Sequence, residues 1–264
     1  MTLRVAVEGV SFWASRLPGW EIAQAVIRGD QPAPETASAR PSPTLLAPTE
    51  RRRAPDTVAV ALEVAARACE AAGRKPADLP SVFASTHGDT AISDYMCATL
   101  VATPTLISPI KFHNSVHNAA AGYWSIGTGS LAPYTAISAF EFTFAAGLLE
   151  AATQVVCEQR PVLYVVFDIE SKGALATMAP SRGLLGAGLV LAPVNQNQQR
   201  TMILTSETVS APDPTPARSA AGPLVAANAM APCLPLFEVL AQSSPRTVRL
   251  CLSQRTALNV QVSR

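Results

Sequence analysis

Residues 3–10, LRVAVEGV, alternate between apolar and less apolar positions and predict a strand. GWEIAQAVIRGD predicts a short helix ended by a glycine. Residues 31–57 are rich in Pro, Ala and Ser and predict a loop over the surface. Over 57–73, TVAVALEVAARACEAAG has helical apolar spacing, with a glycine where the helix should stop. SVFAST, 81–86, predicts a strand; AISDYMCATLV, 91–101, predicts a helix. A loop over 107–118 leads into a third helix, roughly 116–127. A short strand near 134–138 then turns sharply into a long apolar helix reaching about residue 158. VLYVVFDI, 162–169, is the apolar, β-rich run of a strand covered on both faces. GLLGAGLVLAP and RTMILTSETV predict two more strands.

Alternating strands and helices predict an α/β layered fold. Glu150 is the only charged residue between Glu141 and Glu158, so the helix over 139–158 belongs in the interior, between sheets. Residues 210–222 form a second polar stretch rich in Pro and Ala. One helix and two strands follow, RTVRLCLS and ALNVQV, joined around Gln254 and Arg255. The pattern divides into a main part, 1–195, and a thin part, 196–264, packed on it as one structural unit.

The 264 residues are 48% apolar and only 15% charged, against about 25% in typical soluble domains. That shortage of charge predicts surface hidden in an oligomer as well as in a core. A net charge of +1 gives no reason to expect nucleic acid as a partner. No uninterrupted apolar run reaches the length of a membrane span, and Met1 to Val7 shows no cationic leader, so the expectation is a cytoplasmic protein. The five cysteines are scattered and odd in number, which suits reduced thiols. His113 and His117 have no acidic or cysteine partners nearby, and His87 has only Asp89, so neither metal nor cofactor is expected.

The turn at TAISAFEFTF carries no cysteine or hydroxyl after Ser138 until Thr143. Ser138 and Glu141 stand as S-x-x-E, the pattern of a capping box: the serine accepts the N3 amide and the glutamate reaches back to the cap. Ser138 is then a helix cap, and Glu141 also meets the positive end of the helix.

Several stretches together resemble the N-terminal half of a β-ketoacyl synthase, the condensing enzyme of fatty-acid and polyketide assembly. They are TERRRAPDTVAVALEVAARACEAAG, SVFASTHGD, SPIKFHNSVHNAAAGYWSIGTG, YTAISAFEFTFAAGLLEAA and GLLGAGLVLAP. The chain is most similar to the β-ketoacyl synthase-like, N-terminal domain group. The resemblance implies a thiolase-like fold with α-β-α-β-α layers, its N-terminal half complete and its C-terminal half strongly shortened. It puts Glu141 at the position of the lost nucleophilic cysteine. The histidine pair of active members lies downstream of that elbow, whereas all three histidines here lie upstream.

The resemblance therefore implies a non-catalytic subunit similar to a type II chain-length factor, of the kind associated with aryl polyene or xanthomonadin-type pigment clusters. Its partners would be an active ketosynthase, in a heterodimer, and an acyl carrier protein with its phosphopantetheine-bound acyl chain. Tyr95, Met96, Thr99, His113 and His117 are the tunnel or interface candidates. Arg51, Arg52 and Arg53 could attract the acidic carrier, or form a solvated basic turn. Two alternatives stay open. One is a malonyl-carrier-protein decarboxylase using Glu141. The other is an acyl hydrolase built on Ser138 or Ser115 with His117.

Overall fold

The computed structural model describes residues 1–38, 40–195, 200–242 and 245–263. Strand β1 spans Thr2–Ala14, followed by β2 (Leu17–Pro18), α1 (Trp20–Arg28), α2 (Pro48–Arg53), α3 (Asp56–Ala71) and β3 (Ser81–Ala84). Next come α4 (Thr90–Ala102), α5 (Pro109–Asn114), α6 (Ala119–Thr128), β4 (Tyr134–Ile137), α7 (Thr143–Glu158) and β5 (Val162–Asp168). The chain closes with α8 (Leu175–Met178), β6 (Leu185–Ala192), β7 (Thr201–Thr208), α9 (Gly222–Val225), α10 (Leu234–Ala241), β8 (Arg246–Ser253) and β9 (Thr256–Ser263).

The strands join in the order β4-β3-β5-β6-β1-β7-β9-β8, with β2 paired to β1. β3 lies parallel to β4 and β5, and the other pairs are antiparallel. β1 changes partner along its length. Ala6–Ala14 pairs with β6 and Thr2–Ala6 with β7, and the register shifts between Val7 and Gly9. This strand runs four residues past the alternating segment because SFWA is covered on both faces, and two-sided burial erases the alternation.

Helix α3 packs on β1, β5 and β6, with α6 beside it. Ten of its residues are buried. It lies close to the sheet because the strands beneath it carry glycine: a Cβ on Gly9 would stand 2.2 Å from the Ala68 carbonyl, and one on Gly188 2.9 Å from that of Val64. On the opposite face α7 touches β1, β3 and β5, and also β8 from the far end of the strand order. The sheet thus curls around α7, as expected for a helix between sheet layers. The turn and helix Phe140–Glu158 are long and apolar enough to cross a membrane by length and composition. Here Leu148, Ala151, Ala152 and Val155 of that helix are in the core with Val248, Leu250 and Phe237.

The layers are helix, sheet, helix, sheet. The outer face of β7, β9 and β8 is polar, with Arg249 donating to Glu207 and Asn259, and among the described residues no helix covers it. The expected division at 195/196 meets residues 196–199, which lie outside the described residues. Two further differences concern loops: α2 interrupts the stretch read as loop over 31–57, and α5 interrupts 107–118. Both begin with a proline in the first turn, which suits a helix start, and both are too short to show a helical period.

Candidate functional site

Strand β4 leads into the elbow at Ala139–Phe142, which forms a 3₁₀ turn over Phe140–Phe142 before α7 begins. The tip is Phe140, with φ of 51° and 59% of its surface exposed. Thr143 braces the turn from inside. Its hydroxyl donates to the Phe140 carbonyl at 2.6 Å and accepts the Ala139 N–H at 2.9 Å. The expected capping box does not form. The Ser138 hydroxyl donates instead to the Thr86 carbonyl at 3.0 Å, and the 3₁₀ turn moves the start of α7 to Thr143, beyond the reach of Ser138. Glu141 reaches across to the β8–β9 turn, where its carboxylate accepts from Gln254 Nε2 at 2.8 Å.

Beneath the elbow lies a group that the sequence pattern did not single out. Asp168 ends β5 with no exposed surface. It accepts from the Ser85 hydroxyl at 2.8 Å, the Thr86 N–H at 2.9 Å and the His87 N–H at 3.3 Å. Burial raises its pKa above the ordinary carboxylate range, and these donors oppose the shift. Asn228 ties the same strand end to the second part of the chain by donating to the Asp168 carbonyl at 3.2 Å. The loop fixed by Asp168 carries His87, whose ring stands 6.0 Å from that of Phe140, edge-on. It ends at Asp89, which caps α4 by accepting the Ile92 N–H at 3.0 Å. Burial raises the Asp89 pKa too, against its hydrogen bonds from Ile92 and Thr57.

The expected tunnel candidates fall into separate places. Tyr95 joins α4 to α5: its oxygen accepts the Ser108 N–H at 3.3 Å, and Lys111 Nζ lies 3.7 Å above its ring. Thr99 donates to the Tyr95 carbonyl at 2.8 Å, and Met96 is half-buried beside them in sequence. The ring of His113 meets Tyr123 edge-on and shares a surface cleft with Arg53 and Glu50. His117 is elsewhere, with Nε2 donating to the Ser85 carbonyl at 2.8 Å. Ser138 and His117 therefore address neighbouring carbonyls and not each other, and Ser115 donates to Phe112. Neither serine meets a base among the described residues. Arg51 holds the loop before it through the Leu46 carbonyl at 2.9 Å, while Arg52 and Arg53 are exposed. Among the described residues no cluster of three metal-ligating side chains occurs.

Two surfaces flank the elbow. On the Glu141 side lies a cavity of about 460 Å³, lined by Phe142, Phe144, Leu250, Cys251 and Gln254 among others. Burial raises the Cys251 thiol, and the Glu141 charge adds to the shift. On the other side β4 ends the sheet, with only β3 beside it. Across α4 to α6, Leu100, Val101, Leu106, Ile110, Phe112 and Val116 are exposed, Val101 to 88%.

A sharp strand-to-helix elbow on a thiolase-like α/β frame places the chain in the ketosynthase class of folds. The chain belongs to the family described as β-ketoacyl synthase, N-terminal domain, whose model matches residues 25–234. Among solved structures it is similar to a chain of the ketosynthase ApeO in complex with its chain length factor ApeC from Xenorhabdus doucetiae. There the identity is 18% and the TM-score 0.72, covering 99% of this chain and 100% of that one. It is also similar to the ishigamide ketosynthase/chain length factor, at 13% identity and TM-score 0.71, covering 98% and 99%. AntDE:AntF, a type II PKS acyl-carrier protein in complex with its ketosynthase, matches at 10% identity and TM-score 0.73, covering 100% and 99%. No curated protein matches.

Proposed function

We propose that this chain is a non-catalytic subunit, similar to a chain-length factor, that pairs with an active β-ketoacyl synthase and shapes the tunnel for its acyl product. The observation that carries the reading is the elbow itself. It presents Phe140 and Glu141 with no thiol or free hydroxyl, next to an edge strand, and apolar side chains across α4 to α6 stay exposed among the described residues. A carboxylate cannot carry an acyl chain as a thiolate does. Exposed apolar side chains in this number mark an association surface. The structural relatives that are complexes of a ketosynthase with its chain length factor support the same partner. In this reading the complex works in the cytoplasm, in type II polyketide or fatty-acid-like synthesis of the aryl polyene kind. An acyl carrier protein delivers the phosphopantetheine-bound chain, and Tyr95, Met96 and Thr99 on α4 border the tunnel.

The test is reconstitution. Co-expressed with its ketosynthase, the chain should elute as a 1:1 heterodimer, and the carrier-bound products should become shorter with Met96→Trp. Condensation or decarboxylation by the purified chain alone would overturn the proposal.

A further inference from the structure

Phe140 holds an unusual backbone conformation. Its φ of 51° lies in the left-handed region, where a bulky side chain is strained. The other described non-glycine residue with positive φ, Gln159, is the C-cap of α7, where such a conformation ends many helices. Phe140 ends no helix. It stands at the tip of a strand-to-helix elbow, a turn whose strained residue thrusts its side chain outward.

The surroundings hold this conformation from both sides. The Thr143 hydroxyl accepts the Ala139 N–H at 2.9 Å and donates to the Phe140 carbonyl at 2.6 Å, which ties the turn together across Phe140. The ring meets His87, and the His87 backbone is pinned to the buried Asp168. The next side chain, Glu141, goes another way, to Gln254 and to a cavity that Phe140 does not line. A rigid backbone thus presents a large, 59% exposed phenyl ring, whereas the neighbouring carboxylate is turned aside.

We infer that Phe140, and not Glu141, occupies the place where such an elbow presents its nucleophile, and that its ring is a wall met by the tip of an apolar acyl chain. The inference rests on the partner role proposed above. A fixed aromatic face favours contact with a hydrocarbon or polyene tip and resists being pushed aside, because its backbone has no slack.

The experiment uses the complex of this chain with its ketosynthase and acyl carrier protein, and reads the masses of the carrier-bound products. Phe140→Ala removes the ring; Phe140→Gly removes it and also accepts the positive φ. Both should raise the ratio of longer to shorter products by about 5-fold or more, and Phe140→Trp should lower it. Assembly is measured on the same samples by light scattering. Unchanged product lengths in intact complexes overturn the inference. So do variants that weaken assembly without altering length, or a shift produced by Glu141→Gln but by no Phe140 variant. If the wild-type chain neither joins a ketosynthase nor alters its products, the partner role fails, and the inference falls with it.

Discussion

Helices α3 and α4 are both rich in apolar residues, yet they end in opposite environments. In α3 ten residues are buried, from Thr57 to Cys69, between the sheet and α6. In α4 only Thr90 and Ile92 are buried, while Leu100 and Val101 lie open. Local propensity does not separate the two. The difference is what the fold places against them: three strands, two of them with glycine, under α3, and mainly the turn 104–106 with short α5 and α8 against α4. An apolar helix left uncovered lowers solubility unless something else buries it.

The largest expected contrast comes from truncating one side chain on each helix. Leu62→Ala should destabilise the chain by about 2–5 kcal/mol, because Leu62 is fully buried in α3. Val101→Ala should leave the urea midpoint of the isolated chain within about 0.5 kcal/mol of wild type. Equal losses at the two positions would mean that α4 is covered within the chain.

Asp168 sharpens the comparison, since it fixes the loop that feeds α4. Asp168→Ala leaves the Ser85 hydroxyl and the Thr86 and His87 amides without their acceptor, a loss of about 3 kcal/mol. Its pH dependence has a definite sign. Burial raises the folded pKa above the unfolded one, so the folded chain holds the proton more tightly. This contribution is complete below the unfolded carboxylate range and is lost as pH rises through the folded value. Denaturant midpoints followed from about pH 4 to about pH 7 should fall for wild type relative to Asp168→Asn. A parallel pair of curves would remove Asp168 from the pH response.

The smallest effects separate the two residues that touch the elbow. Thr143→Val loses both braces and should cost about 1 kcal/mol. Glu141→Gln keeps an oxygen that can accept from Gln254, loses only an exposed charge, and should change stability by a few tenths of a kcal/mol. Thermal midpoints of the two variants, measured side by side, check the order.

Much of the fold was legible in the sequence, and the reasons are local. α3, β5 and β6 announce themselves through apolar period or apolar run. The elbow was legible as a change from strand to helix. Its geometry was not, because S-x-x-E reads the same whether the helix begins at Ala139 or, after a 3₁₀ turn, at Thr143. The left-handed Phe140 has no signature in residue type, since phenylalanine is among the residues least suited to it. Asp168 sits at the end of an apolar run, and only the loop 85–87 folded over it explains a buried carboxylate there. His113 and His117 are one helical turn apart in the sequence but fall on either side of the break after α5, so they point to different partners.

The double pairing of β1 has a consequence in time. This strand is made well before its partners β6 and β7, which come only at Leu185–Ala192 and Thr201–Thr208. On a ribosome adding about 5–20 residues per second, β1 waits roughly 10–40 s with most of both edges unsatisfied. Its C-terminal end, VSFWA, is the sort of segment that pairs with any neighbour available. Closing so long a loop also slows the search for the native sheet. Assembly of this chain is thus governed early by what shields β1, and a partner or chaperone present during synthesis would change yield more than one added afterwards.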